Sequence, residues 1–599
     1  MKNFFCKYPL YKCTKTLALV ATGKIKAELV IKNAKLINVC TKEIIDNVSV
    51  AVAMGRIAKV GNCDSLIGEN TKVIDLQGKY LAPSFLDGHI HIESSMITPS
   101  EYAKAVIPHG TSGVFIDPHE ICNVLGTKGI DYMLKDAKST PLKTYLTMPS
   151  CVPAVVGFED TGARIDAKHI KKAMKKPECV GLGEMMNFPG ILNADEHTHQ
   201  IVEQTLKADK VITGHYSLPE TDGGLNGYVA TGARCCHEST RKEDALSKMR
   251  LGMYAQFREG SAWKDLHHLA KVLTEEKVDS RFSCLVSDDN HPNTLKNQGH
   301  LDHIVARAIE EGIDPITAIQ MVTINTATSF DLAHEIGSIA PSKCADMVVI
   351  SDLNTCKVDM VIIDGEVVSE NGKLVKDFVK YNFPKKAKNT VKLNPIKSQD
   401  LSIKCNGKSA KVNVIEIIPA RVGTYRRIEK LEVINGELKS NLEKDILKAV
   451  VFERHKKTKT KGFGFVKGFN IKSGALAQTV AHDAHNLFVI GTNDEDMALA
   501  VNILIKCGGG MVAVDNGKIL GLAPLSIAGL MSDKPLEQTQ KDVESVEKAW
   551  VQMGCKHISP FMTMAIIPLA CLPEIRLTNR GLVDCTKFEF VDLIEEIYN

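Results

Sequence analysis

Between residues 81 and 335 the chain repeats one device. A short apolar run ends abruptly in His, Asp, Glu, Ser or Arg, and some way later the next run begins. The eight runs are LAPSFLDGHIHIE, TSGVFIDPHE, KTYLTMPSCVP, CVGLGEMMN, KVITGHYSL, GARCCHES, GMYAQFREG and RFSCLVSDDN. Their common spacing of about 20–35 residues is what strand–helix–strand units require. Helical pieces lie between several of them. TPSEYAKAV offers Thr98 as a cap, Pro99 at the first helical position and Glu101 to complete a capping box. Eight parallel strands with reactive residues at their C-terminal ends predict a (β/α)8 TIM-like barrel of the α/β class, with its site on one rim.

The flanks have a different texture. Residues 28–80 carry β-branched alternation broken by glycine turns, and the same pattern returns at 336–385. The two stretches are expected to build one small β domain around the barrel at 81–335. Residues 1–27 read as an N-terminal extension: lysines interrupt its apolar patch LALVATG and nothing resembles a cleavage site. From 395 to 599 strand-like and helical runs mix, which predicts a further α/β domain.

With 599 residues the chain is too long for one core. A net charge of +3 and no basic block with interleaved aromatics argue against a nucleic-acid partner, and no apolar run is long enough to span a membrane. Seventeen cysteines are scattered, singly apart from adjacent Cys235 and Cys236 and without a C-x-x-C pair, and read as reduced thiols of a cytoplasmic protein.

The chemistry is carried by the strand ends. On a strand, His89 and His91 face the same way, whereas on a helix they would diverge. Strand four ends in Glu184, strand five in His215, strand six in His237 and Glu238, and strand eight in Asp288 and Asp289. Four imidazoles, a glutamate and an aspartate on one rim can hold two divalent ions. A structural role alone leaves unexplained why buried strands repeatedly end in ionisable groups, which are rarely buried unless paired or metal-bound. Oxygen and nitrogen donors without thiolate suit Mn2+, Fe2+ or Zn2+.

Several segments together resemble the amidohydrolase superfamily and, within it, the adenine deaminase family. They are LDGHIHIESSMITPSEYAKAVIPHGTSGVFIDPHEICNVLG, GLGEMMNFPGIL, CCHEST, LGMYAQFREGSA, SDDNHP, AQTVAHDAHNLFVIG and PLSIAGLMS, spread over nearly the whole chain. The resemblance implies that His89 and His91, with Asp288, ligate one metal, that His215 and His237 ligate a second, and that Glu184 bridges them, where many relatives use a carboxylated lysine. It points to manganese or iron, and to hydroxide attack on C6 of adenine giving hypoxanthine and ammonia. Asp288 is then expected to move the proton of the nucleophile. Glu238 is expected to protonate the purine ring, the alternative being a residue that orients a histidine.

Ser94, Asp117, His119, Glu120, Arg258 and Glu259 are candidates for reading the purine edge, with packing as the alternative. Asp289 should point away from its neighbour. His482, Asp483 and His485, in AHDAHN beyond the barrel, are candidates for covering the site or holding another ion, or else form a plain turn. The segment GHYSLPETDGGLNGY departs from the shorter glycine-rich loop of the family, and LAPSFLDGH from its usual first-strand lead-in. The other readings are a different cyclic-amide or cyclic-amidine hydrolase and a catalytically inactive scaffold, although all six ligand positions are filled. A homo-oligomer is expected, with a small purine as the partner.

Overall fold

The computed structural model describes residues 5–219, 223–419, 421–557 and 559–599. The segment after His215 that departs from the family pattern includes residues 220–222, which lie outside them.

The repeated apolar runs form eight strands, here β1 (Phe85–Ile90), β2 (Thr111–Ile116), β3 (Lys143–Met148), β4 (Cys179–Met185), β5 (Val211–Gly214), β6 (Ala233–Cys236), β7 (Tyr254–Arg258) and β8 (Ser283–Val286). Consecutive strands pair in parallel from β1 to β8. A parallel bridge joins Ile90 to Asp288, and the Asp288 N–H donates to the His89 carbonyl at 3.0 Å, so the chain leaving β8 lies against β1. The arrangement is TIM-barrel-like. Apart from Arg234, every residue of these strands is buried, which is why the runs read as continuous apolar segments rather than alternating ones.

A second sheet of nine strands draws on both flanks. Its seam is the antiparallel pairing of Tyr80–Pro83 with Met347–Asp352, and Tyr80–Pro83 also pairs in parallel with Leu29–Asn38. The C-terminal third holds an eleven-stranded sheet, a three-stranded sheet, and the helices Asp494–Cys507 and Leu536–Gln552. One apolar cluster runs through barrel and C-terminal region together, containing Ile97, Tyr102 and Leu295 as well as Val543, Trp550 and Phe561. Each large side chain buried at this seam contributes about 1.5–3 kcal/mol.

The helix Pro99–Val106 starts after Thr98 as expected, but the capping box is absent. Thr98 makes no side-chain cap bond, and the Ser100 N–H is taken by Asp136 at 2.7 Å. Glu101 instead faces away from its own helix start, where it accepts the Leu536 N–H at 3.3 Å and pairs with Lys104 at 3.1 Å. A carboxylate of the barrel thus caps the long C-terminal helix, a long-range partner replacing the local one.

Candidate active site

Each ligand candidate sits where its strand gives way to a loop. His89 is the penultimate residue of β1, and His91 follows at the head of a short turn. The His91 ring donates from Nδ1 to the Asp117 carbonyl at 2.8 Å. That bond fixes the tautomer and leaves Nε2 free to accept, the usual arrangement of a metal-binding imidazole. His91 Nε2 lies 3.3 Å from Asp288 Oδ1 and 3.5 Å from Glu184 Oε1, and His89 Nε2 lies 3.4 Å from the same Asp288 oxygen. His89 Nε2 is buried without a hydrogen-bond partner.

Glu184, at the end of β4, divides its carboxylate. Oε1 faces His91 Nε2, while Oε2 lies 2.5 Å from His215 Nδ1 and 3.1 Å from His237 Nε2. His237 also stacks on His89, with ring centroids 3.9 Å apart. The six expected ligands therefore converge, with one Glu184 oxygen turned to each group of histidines. Burial would raise the pKa of Glu184, but His215 and His237 outweigh it and hold the carboxylate well below its ordinary range. For Asp288 burial is outweighed in the same way by His89 and His91. The donor set fits divalent ions: imidazole nitrogens and carboxylate oxygens, of which the His89, His91 and His237 pairs lie 3.1–3.5 Å apart and His215 lies closer to Glu184, at 2.5 Å. Cys236, next to His237, is engaged elsewhere: its Sγ accepts the Tyr216 N–H at 3.2 Å.

Asp117 holds this cluster from beneath. Its Oδ2 accepts the Glu184 N–H at 2.7 Å while its carbonyl orients His91. Gly183 leaves room for it, because a Cβ there would meet Asp117 Oδ2 at 2.4 Å. Asp117 thus positions two of the candidate ligands.

Arg258, at the end of β7, is fully engaged. Nη1 donates to Glu238 at 2.6 Å and to Asp288 Oδ2 at 2.9 Å, and Nε donates to Asp265 at 3.0 Å. The next residue, Glu259, has Lys264, Arg307 and Asp265 as its charged neighbours, none of them an expected ligand. Glu238 is more open than Asp288, its side chain 13% exposed against 5%. Burial would raise its pKa, yet Arg258, His215 and His237 prevail and bring it down to about 2. It does not hydrogen-bond a histidine, the nearest being His237 at 3.8 Å.

Across the mouth, Ser94 Oγ lies 2.7 Å from Glu120 Oε1 and 2.5 Å from Asp289 Oδ1. Asp289 was expected to point away, by strand alternation. β8 has ended by then, and Asp288 takes a left-handed backbone with φ 57°, which turns Asp289 into the mouth. Burial, reinforced by Asp288, raises its pKa. Glu93, which the sequence did not single out, accepts the Ile121 N–H at 3.2 Å at the start of the helix His119–Leu125, and burial with Glu120 beside it lifts its pKa to about 7. His482, Asp483 and His485 reach the same rim from the C-terminal region. His119 lies 3.3 Å from Glu184 and 3.7 Å from Asp483, and His485 Nε2 lies 3.7 Å from Glu120. A cavity of about 350 Å³ opens beside β4, bordered by Ser150, Cys151, Met186, Phe188 and Cys571.

Two family patterns match the chain: Amidohydrolase family over residues 80–368 and Adenine deaminase C-terminal domain over residues 421–589. The adenine deaminase of Clostridium botulinum (strain ATCC 19397 / Type A) is 62% identical over 598 residues, covering 100% of both chains. That of Moorella thermoacetica is 50% identical over 98% of this chain and 99% of its own, and that of Mesorhizobium japonicum 42% identical over 96% of each. Identity at this level over the whole length, barrel and C-terminal region alike, makes the chain a member of the adenine deaminase family within the amidohydrolases.

Proposed function

We propose that the chain hydrolyses adenine to hypoxanthine and ammonia, on a closed (β/α)8 barrel at 81–335 whose rim is partly covered by a C-terminal domain at 395–599. The observation that carries the reading is the divided Glu184 carboxylate, one oxygen 3.5 Å from His91 and the other 3.1 Å from His237. His89, His91 and Asp288 would hold one divalent ion, His215 and His237 the other, with Glu184 shared. Manganese is the ion we favour. When bound, such a pair supplies a water acidic enough to serve as hydroxide at neutral pH.

The reaction asks for a proton to leave the attacking water, a proton to reach N1 of the ring, and ammonia to depart. Asp288 takes the first proton. Arg258 holds its Oδ2 at 2.9 Å, so the carboxylate cannot swing from the nucleophile. Glu238 serves the ring: it is the more exposed carboxylate and shares Arg258 Nη1 with Asp288. It starts ionised, so it must receive a proton before giving one up. A transfer between two carboxylates held by one guanidinium nitrogen meets that need. Ser94 and Glu120 read the purine edge, while Asp117 and Arg258 position the groups that react.

The test is ammonia release from adenine, adenosine, cytosine and hydantoin by the manganese-loaded chain, with products identified. Adenine should be converted to hypoxanthine in preference to the rest. Turnover of another compound with adenine left intact would overturn the proposal.

A further inference from the structure

We propose that His119, His482 and Asp483 hold a third divalent cation, separate from the Glu184-centred pair, which ties the C-terminal region across the mouth of the barrel. The donor atoms of these three side chains all lie within 4.8 Å of one another. Asp483 Oδ1 is 3.4 Å from His482 Nδ1 and 3.7 Å from His119 Nε2. A charge-assisted hydrogen bond would draw such atoms to about 2.7–2.9 Å. Two atoms each about 2.1 Å from a shared tetrahedral ion sit ~3.4 Å apart. A purine ring cannot fit among donors so closely grouped.

Burial makes the same point. The three residues are 4%, 7% and 2% exposed, and His119 Nδ1, His482 Nε2 and Asp483 Oδ2 have no hydrogen-bond partner. The ion would bind the atoms on the opposite side, His119 Nε2, His482 Nδ1 and Asp483 Oδ1, and so bring two buried imidazoles and a buried carboxylate into one set of bonds. The loop that carries His482 and Asp483 is tied down on three sides. The His482 N–H donates to the Ala565 carbonyl at 2.8 Å and Asn486 to the Asp160 carbonyl at 2.9 Å, and buried Arg454 binds the His485 carbonyl. Two imidazoles and a carboxylate suit Zn2+, Mn2+ or Fe2+. With Nε2 on the ion, the His119 ring turns Nδ1–H toward Glu184 Oε1, 3.3 Å away, as ligating histidines turn their second nitrogen to a carboxylate. The third ion would thus touch the central pair through one ring.

The experiment counts and locates ions in the full-length protein. After Mn2+ loading and desalting, the wild type should keep three ions per chain, and His482→Gln and Asp483→Asn should each keep two. Wild-type crystals grown with Mn2+ decide the matter even if a variant fails to fold. Anomalous peaks at both the Glu184 cluster and the His119–His482–Asp483 cluster support the inference. A peak at Glu184 alone overturns it, a peak at the new cluster alone supports it while removing the metal basis of the proposed reaction, and no peak at either overturns both.

Discussion

Replacing Arg258 by Met separates two roles for this side chain. If Arg258 read the purine, its loss would raise KM and spare kcat. The structure instead gives its donors to Glu238 at 2.6 Å, Asp288 at 2.9 Å and Asp265 at 3.0 Å. Each charge-assisted bond contributes about 1.5–3 kcal/mol. Losing the two that fix Asp288 and Glu238 removes ~3–6 kcal/mol of positioning, or about 10²–10⁴-fold in kcat. Buried Asp288 and the half-buried Glu238 and Asp265 would also lose their cation, a cost to stability of about 3 kcal/mol. Steady-state ammonia release and a denaturant melt read both effects. Arg258→Lys should recover part of the stability but little of kcat, because an ammonium lacks the planar fork. A Met variant with normal kcat and a raised KM would refute the reasoning.

Other outcomes follow from single contacts. Gly183→Ala brings a Cβ to 2.4 Å from Asp117 Oδ2, so it should cost about 1–3 kcal/mol and loosen ion retention, read by thermal melting and metal analysis. Burial, helped by Glu544, raises the pKa of half-buried Glu547 to about 6, above its ordinary 4.5, so it destabilises the fold as pH rises through that window. Glu547→Gln should therefore leave stability unchanged below pH 4.5 and raise it above pH 6 by about 1 kcal/mol after solvent screening, measured by melts across pH. Stripping divalent ions with a chelator should abolish ammonia release and lower the melting temperature, and Mn2+ should restore both; turnover that survives chelation would contradict the ligand assignment.

What could be read in the sequence was what short-range geometry fixes. The period of a strand sets His89 and His91 on one side, and the end of each buried run marks a rim residue. Asp289 escaped because one left-handed residue, Asp288 at φ 57°, breaks the alternation that the expectation used. For Arg258 and Asp117 the sequence left purine contact and packing both open, because a sequence shows residue type but not which neighbours consume it. Their partners lie on other strands or in loops, at Asp288, Glu238, Asp265 and Glu184. Glu101 showed the same limit, leaving its own helix to accept the N–H of Leu536, hundreds of residues away. The AHDAHN motif was visible as a pattern, but its place beside His119 depends on how the C-terminal region folds over the rim, and no local rule fixes that.

Glu184 must serve both halves of the ligand cluster if the two ions are to act together, and adenine turnover by Glu184→Gln tests this most directly. The replacement keeps size and shape but presents an amide nitrogen to one side. Turnover should fall by about a thousandfold or more, equivalent to ~4 kcal/mol, in a chain that still folds. Hypoxanthine formed at the wild-type rate by that variant would contradict the shared role.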